Sequence, residues 1–311
     1  MNDDTHDIII VGGGPGGLTA SIYTSREGLN TLLLEKGLCG GLPLTTDLIE
    51  NYPGFPDGIN GMELIDKFKK QALRFGTNIL EFKEVKTIEP VGKRIKVQTD
   101  EEEYNAYAVI VASGSIPKKL NIPGEEKLRG KGVSYCATCD GPLYRNNDVA
   151  VIGCGNSGLQ EGESLLKYVK SVTFIEFLPY MTAEKILQER LQKNEKTMFL
   201  LNHMLTSING DTLVNSVTAK NRQIGEEKQI EVSGVFIYIG FLPNSKFLEG
   251  IVELDDLGYI ITNEKMETSI PGIYAVGDIR SKKVRQIDVA CGEGTIAAIS
   301  AKDYLKELIL I

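Results

Sequence analysis

The sequence predicts an α/β protein built from two strand–turn–helix–strand units, the second inserted into the first. Three observations predict it. A glycine fingerprint, Gly12-Gly13-Gly14-Pro15-Gly16-Gly17, follows the β-branched run Ile8-Ile9-Ile10-Val11, and the same frame returns at Gly153-Cys154-Gly155-Asn156-Ser157-Gly158 after Asp148-Val149-Ala150-Val151-Ile152. In each case an acid-ended apolar strand comes next, Thr31-Leu32-Leu33-Leu34-Glu35 and then Ser171-Val172-Thr173-Phe174-Ile175-Glu176. The acid stands eighteen residues past the last glycine both times, so the two units are a repeat about 140 residues apart.

The first strand must be buried on both faces, because four consecutive β-branched residues show no alternation. Helical spacing then runs from Leu18 to Glu27, and in the second unit from about Leu159 to Tyr168. Strand, glycine turn and helix thus occur in the order of a Rossmann-like, three-layer ββα nucleotide fold. Two further apolar strands, Tyr107 to Ala112 and Gly234 to Gly240, each leave through a proline, at Ser115-Ile116-Pro117 and at Pro243-Asn244-Ser245. Those exits read as crossovers. They divide the chain into residues 1–115 with 245–311 and an inserted domain of residues 116–244, joined by two strands of backbone that permit rotation.

A length of 311 residues suits two domains with separate cores. With 42% hydrophobic and 24% charged residues the composition is that of a folded globular chain. A formal net charge of −8, with no compensating basic run, argues against nucleic acid and anionic membranes as partners. Met1-Asn2-Asp3-Asp4-Thr5-His6-Asp7 is acidic where a signal peptide is basic, and Leu308-Ile309-Leu310-Ile311 is too short to span a bilayer. We therefore expect a cytoplasmic protein, with Leu308 to Ile311 as the buried end of a helix.

A single glycine fingerprint is weak evidence, and context strengthens it. Gly12 permits the tight turn, Gly14 lets backbone approach a pyrophosphate, Gly17 lets the helix pack on the strand, and Glu35 can bind ribose hydroxyls. Gly153, Gly155, Gly158 and Glu176 repeat that set. After Glu176, however, come Phe177, Leu178, Pro179, Tyr180, Met181 and Thr182, where a 2′-phosphate needs Arg or Lys. The expected nucleotide there is NADH rather than NADPH.

Cysteines stand at 39, 136, 139, 154 and 291, and only Cys136 and Cys139 are close. Half a zinc site, a structural disulfide and a redox dithiol compete for that pair. Zinc needs two more ligands from a chain with only His6, His203 and three scattered cysteines, and a cytosolic protein seldom keeps a structural disulfide. Redox exchange is the reading carried forward, with Asp140 as the proton carrier and no metal expected.

Taken together, these residues resemble the low-molecular-weight thioredoxin reductases over nearly the whole chain. The resemblance is carried by Gly12 to Gly17, Glu50-Asn51-Tyr52-Pro53-Gly54-Phe55, Cys136-Ala137-Thr138-Cys139-Asp140-Gly141, Ala183-Glu184-Lys185-Ile186-Leu187, Thr268-Ser269-Ile270-Pro271-Gly272-Ile273-Tyr274-Ala275-Val276-Gly277-Asp278 and Arg285-Gln286-Ile287. It implies FAD in the first site, held by Gly12, Gly14, Pro15, Gly17, Glu35, Lys36, Gly41, Leu42, Thr45, Asn51, Val85, Ala112, Gly114, Asp278, Arg285, Gln286 and Ile287. It places the nicotinamide nucleotide on Gly153, Gly155, Asn156, Ser157 and Glu176. Cys139 would face the flavin and Cys136 would attack the disulfide of thioredoxin or a glutaredoxin-like protein, in a homodimer whose inserted domain rotates.

Three departures from the family pattern stand out. Its His-Arg-Arg and later Arg fall on Glu176, Phe177, Leu178 and Thr182; its Gly-Gly-Gln-Leu reads Gly40-Gly41-Leu42-Pro43; and its helix alanine is Gly162, followed by Glu163, which weakens the helix expected to cradle pyrophosphate. Some relatives with a similarly altered site take electrons from reduced ferredoxin or another donor instead, so that alternative stays open. Glutathione-type reductases are excluded, because no histidine follows His203 and no interface domain is present. A ferredoxin or flavodoxin reductase would lack the dithiol, and an FAD-holding redox sensor would not turn over.

Overall fold

The computed structural model describes residues 5–308. They form two compact units: residues 5–44, 49–116 and 242–308 make the first, and 45–48 with 117–241 the second. The crossings Ser115–Pro117 and Phe241–Pro243 pair with each other as a two-stranded ribbon.

In the first unit the strand order is Asn78–Glu81, Thr31–Glu35, Thr5–Val11, Glu103–Val111, Arg94–Thr99, Val85–Val91, with Ile273–Ala275 also pairing with Glu103–Val111. The strands around Thr5–Val11 are parallel, and the Val85–Val111 part is an antiparallel meander. Ile8, Ile10, Leu33 and Ile110 pack into one core, and Ile9, Val11, Leu32, Leu34 and Val109 into another. That explains the unbroken apolar run: successive side chains of one strand enter different cores. Each fully buried aliphatic side chain contributes about 1.5–3 kcal/mol.

Helix Pro15–Arg26 begins with proline, whose missing N–H costs nothing in the first turn, and packs against the long helix Ile287–Glu307. The apolar tail anticipated as a helix end lies, for residues 309–311, outside the described residues; Leu308 caps helix Ile287–Glu307.

The second unit has a five-stranded parallel sheet in the order Thr197–Leu200, Ser171–Ile175, Asp148–Ile152, Gly234–Ile237, Val133–Ser134. It also carries an antiparallel meander, His203–Asn209, Ser216–Asn221, Glu227–Glu231. Helix Asn156–Leu165 starts three residues ahead of the sequence expectation, because the backbone turns helical directly after Gly155. Gly162 is not a flaw in that helix. A Cβ there would lie 2.4 Å from the Phe174 ring, so glycine is what lets helix and sheet approach this closely. Among the described residues no helix is long and apolar enough to cross a membrane.

Candidate functional site

The two glycine fingerprints fold alike, bond for bond. Gly12 donates its N–H to Leu34 O and Gly153 to Ile175 O, both at 2.8 Å, anchoring each glycine turn to the acid-bearing strand. Both glycines have positive φ, +111° and +104°. A Cβ at Gly17 would stand 1.9 Å from Gly12 O, and one at Gly158 would stand 2.0 Å from Gly153 O, so only glycine lets the helix start this close. Each helix begins on a glycine, Gly14 or Gly155, with no side chain capping its first turn. Free N–H groups there suit an anion.

The acids repeat as well. Glu35 accepts from Gly13 N at 2.7 Å and Gly37 N at 3.0 Å; Glu176 accepts from Cys154 N at 2.6 Å and Leu178 N at 2.9 Å. The spacing expectation therefore corresponds to a defined construction in which each carboxylate pins its own glycine loop. A carboxylate has about four acceptor positions, so capacity for ribose hydroxyls remains. Lys36 and Phe177 occupy equivalent positions, one residue past each acid.

Around the first fingerprint the fold gathers residues distant in sequence. Ala112 abuts it, its carbonyl 2.3 Å from where a Gly12 Cβ would lie, and a Cβ at Gly41 would stand 3.6 Å from the Gly14 Cα. Asn51 Nδ2 donates to Gln286 Oε1 at 3.2 Å across 235 residues. Ile287 opens the long helix beside Gln286, and Val85 is buried at the start of its strand. Gly114 has φ +64° at the end of the crossing from Ala112. Burial pushes the Asp278 carboxyl up, opposed by the charges of Lys282 and Arg285. Arg285 lies over the Tyr259 ring at 4.3 Å, its Nε buried without a hydrogen-bond partner among the described residues. Open space over Gly14 and an uncapped helix start fit a dinucleotide with an anionic centre. Leu42 begins the 3-10 turn Leu42–Thr45, and Thr45 packs with the second unit, where its carbonyl accepts the Thr138 hydroxyl at 2.6 Å.

Cys136 and Cys139 form a disulfide, Cα to Cα 5.3 Å, at the start of the short helix Ala137–Asp140. Cys139 is exposed; Cys136 and Asp140 are half-buried. A redox pair is thus closed on itself, as neither half a zinc site nor two inert thiols would be.

The profile of the family described as "Pyridine nucleotide-disulphide oxidoreductase" matches residues 6–294. The chain belongs to that family. Within it, the chain is 43% identical over 305 residues to a thioredoxin reductase of Bacillus subtilis, covering 97% of this chain and 96% of that one. It is 42% identical over 303 residues to that of Mycolicibacterium smegmatis, covering 97% of each. The crystal structure of the Lactococcus lactis thioredoxin reductase superposes with a TM-score of 0.95 at 40% identity, covering 97% of this chain and 99% of that chain. That of the T. acidophilum thioredoxin reductase gives 0.94 at 38%, covering 98% of this chain and 100% of that chain. The resemblance read from the motifs is therefore borne out, as are the two-domain Rossmann-like fold and the assignment as a flavoprotein disulfide reductase of the thioredoxin reductase type.

Three residues behind and beside these sites were missed by the sequence reading. Tyr238 is half-buried and accepts from Ala137 N, beside Cys136, at 2.8 Å. Burial pushes its phenol well up, and the Glu161 charge adds to this. Glu161, on helix Asn156–Leu165, is 6% exposed, and its Oε2 has no hydrogen-bond partner among the described residues. Desolvation, then the charge of Asp47, pushes its carboxyl up to about 8. Arg222 reaches Phe177 from 45 residues away, its Nη1 donating to Phe177 O at 3.0 Å. The advance signals were an acid in a helix, a tyrosine just past an apolar strand, and an arginine in a turn.

Proposed function

We propose that the chain is an FAD-dependent thioredoxin-disulfide reductase in which NADH is the preferred donor and the Cys136/Cys139 dithiol reduces thioredoxin or a similar small disulfide protein. The observation that carries it is the Cys136–Cys139 disulfide on an accessible turn of a unit that holds its own glycine fingerprint. Bound FAD would supply a two-electron carrier between a nicotinamide and that disulfide.

The protein's own residues do the rest. Gly12, Gly14, Pro15, Gly17, Glu35 and Lys36, with Asn51, Gln286 and Arg285, hold the FAD, and Gly155, Asn156, Ser157 and Glu176 hold the nicotinamide nucleotide. In the reduced protein the Cys136 thiolate attacks a partner sulfur, the partner S–S bond breaks, and a mixed disulfide forms. Cys139 then attacks Cys136, its bond to the partner breaks, and the partner leaves as a dithiol while Cys136–Cys139 re-forms. Asp140, next in sequence, passes the proton to the departing thiolate. NADH is favoured because Glu176 sits where a 2′-phosphate would meet like charge.

Two measurements test this reading. Anaerobic titration with NADH, NADPH and reduced ferredoxin, followed by flavin absorbance, should bleach at the lowest concentration with NADH; rapid bleaching by NADPH at low concentration would reject the charge argument. Steady-state reduction of a thioredoxin disulfide should vanish in Cys136→Ser and Cys139→Ser, and only Cys139→Ser should accumulate a mixed disulfide. A redox sensor would show no turnover, and a ferredoxin or flavodoxin reductase would keep its activity without either sulfur.

A further inference from the structure

Beyond Glu176 the second unit carries a feature without counterpart beside Glu35 among the described residues. Arg222 lies over the Phe177 ring, its Cζ 3.5 Å from the ring centroid. Its Nη1 donates to Phe177 O at 3.0 Å and approaches Asn202 Oδ1 at 3.5 Å. The backbone beneath is bonded in series: His203 N to Glu176 O at 2.8 Å, Asn202 N to Leu178 O at 2.8 Å, and Arg222 N to Asn202 O at 2.9 Å. Asn221 Oδ1 then fixes the turn that presents the arginine, accepting from Gln223 N and Ile224 N. The guanidinium is therefore oriented before any ligand arrives.

Its position follows from the internal repeat. Phe177 is one residue past the acid that faces the ribose, as Lys36 is in the first unit, so the stack stands at the adenosine end of a dinucleotide whose pyrophosphate meets the helix start at Gly155. Phe177 is 51% exposed and Arg222 is exposed, so the pair keeps solvent-facing surface that an aromatic base could cover. A planar cation stacks on a π-face as an ammonium cannot.

We propose that Arg222, laid on Phe177, is the stacking platform for the adenine of the electron donor. This rests on the nicotinamide donor proposed above and adds to it the residue that selects an adenine nucleotide. The platform is indifferent to the 2′-position, since adenine is common to NADH and NADPH; Glu176 sets the preference between them.

The test measures calorimetric binding of 5′-AMP, NADH and NADPH to the FAD-loaded protein and to Arg222→Ala, Arg222→Lys and Phe177→Leu, with anaerobic flavin reduction in parallel. Arg222→Ala should weaken 5′-AMP and NADH by the same factor, roughly five- to 150-fold, the usual worth of one stacked base. The NADH to NADPH ratio should hold within about twofold, and half-maximal flavin reduction should need more NADH by the same factor as the loss of binding. Arg222→Lys should bind as weakly as Arg222→Ala, and Phe177→Leu should weaken in the same direction. Binding by Arg222→Ala equal to the unaltered protein overturns the platform, as does full rescue by lysine or a loss confined to NADPH, which would make Arg222 a phosphate contact. If the unaltered protein binds 5′-AMP with an Arg222-dependent affinity but NADH leaves its flavin oxidised, the platform stands and the donor reading falls. If it binds neither nucleotide, both fall.

Discussion

The Tyr238 hydroxyl accepts the backbone N–H of Ala137 at 2.8 Å, tying the turn that carries both redox sulfurs to the strand end 101 residues later. Ala137 is 1% exposed, so water is a poor substitute for that acceptor. Tyr238→Phe should therefore cost about 1–3 kcal/mol of stability, the penalty for an orphaned buried donor. It should also shift the equilibrium between the Cys136/Cys139 dithiol and a glutathione buffer if the oxidised and reduced turns use that acceptor unequally. A urea midpoint identical to that of the unaltered protein would show that the N–H finds another acceptor.

Glu161 makes stability depend on pH. Its folded carboxyl titrates at about 8, raised by burial and then by Asp47, with the Thr46 hydroxyl pulling the other way. Unfolded, it titrates near 4.3. Between those values the folded protein holds the proton more tightly, so its contribution to stability is complete below about pH 4.3 and is lost as pH rises toward 8, at about 1.4 kcal/mol per pH unit at most. Glu161→Gln removes that titration. Thermal midpoints from pH 5 to 9 should fall for the unaltered protein relative to the variant; parallel curves would mean that the carboxyl ionises freely in the fold.

Gly162→Ala sets helix propensity against packing. Alanine favours the helix interior by about 1 kcal/mol, yet its Cβ would stand 2.4 Å from a Phe174 ring that is fully buried and stacked on Phe199 at 4.9 Å. Overpacking a ring that cannot swing aside costs about 1–3 kcal/mol. The variant should be less stable in chemical denaturation, and a gain would show that the helix moves off the sheet cheaply.

Glu293 is 6% exposed and carries three duties: it accepts from Gly277 N at 2.7 Å, pairs with Arg280 at 2.6 Å and pairs with Lys282 at 3.0 Å. Glu293→Gln keeps the shape and removes the charge that balances two largely buried cations. We expect a loss of about 3–5 kcal/mol, read as a lower thermal midpoint. Double replacement of Arg280 and Glu293 by Gln and Gln should recover part of it if charge balance is the cause.

Much of this was legible along the chain. Ile8 to Val11 announced a strand buried on both faces because β-branched residues without alternation leave no solvent side, and the eighteen-residue step from Gly17 to Glu35 and from Gly158 to Glu176 measures the helix and turn that bring each acid back to its own glycine loop. Gly162 misled the sequence reading because propensity treats a helix in isolation, whereas the Phe174 ring determines what fits beside it.

The sequence by itself determined the two repeated nucleotide units, the redox pair and the family, because each depends on residues close enough in the chain to appear as spacing. Only the tertiary structure decided that Arg222 lies on Phe177, that Tyr238 holds Ala137 and that Glu161 is buried beside Asp47. Those pairs are set by the register of a meander and by packing of a helix on a sheet, and a contact between residues that far apart leaves no period in the sequence to read.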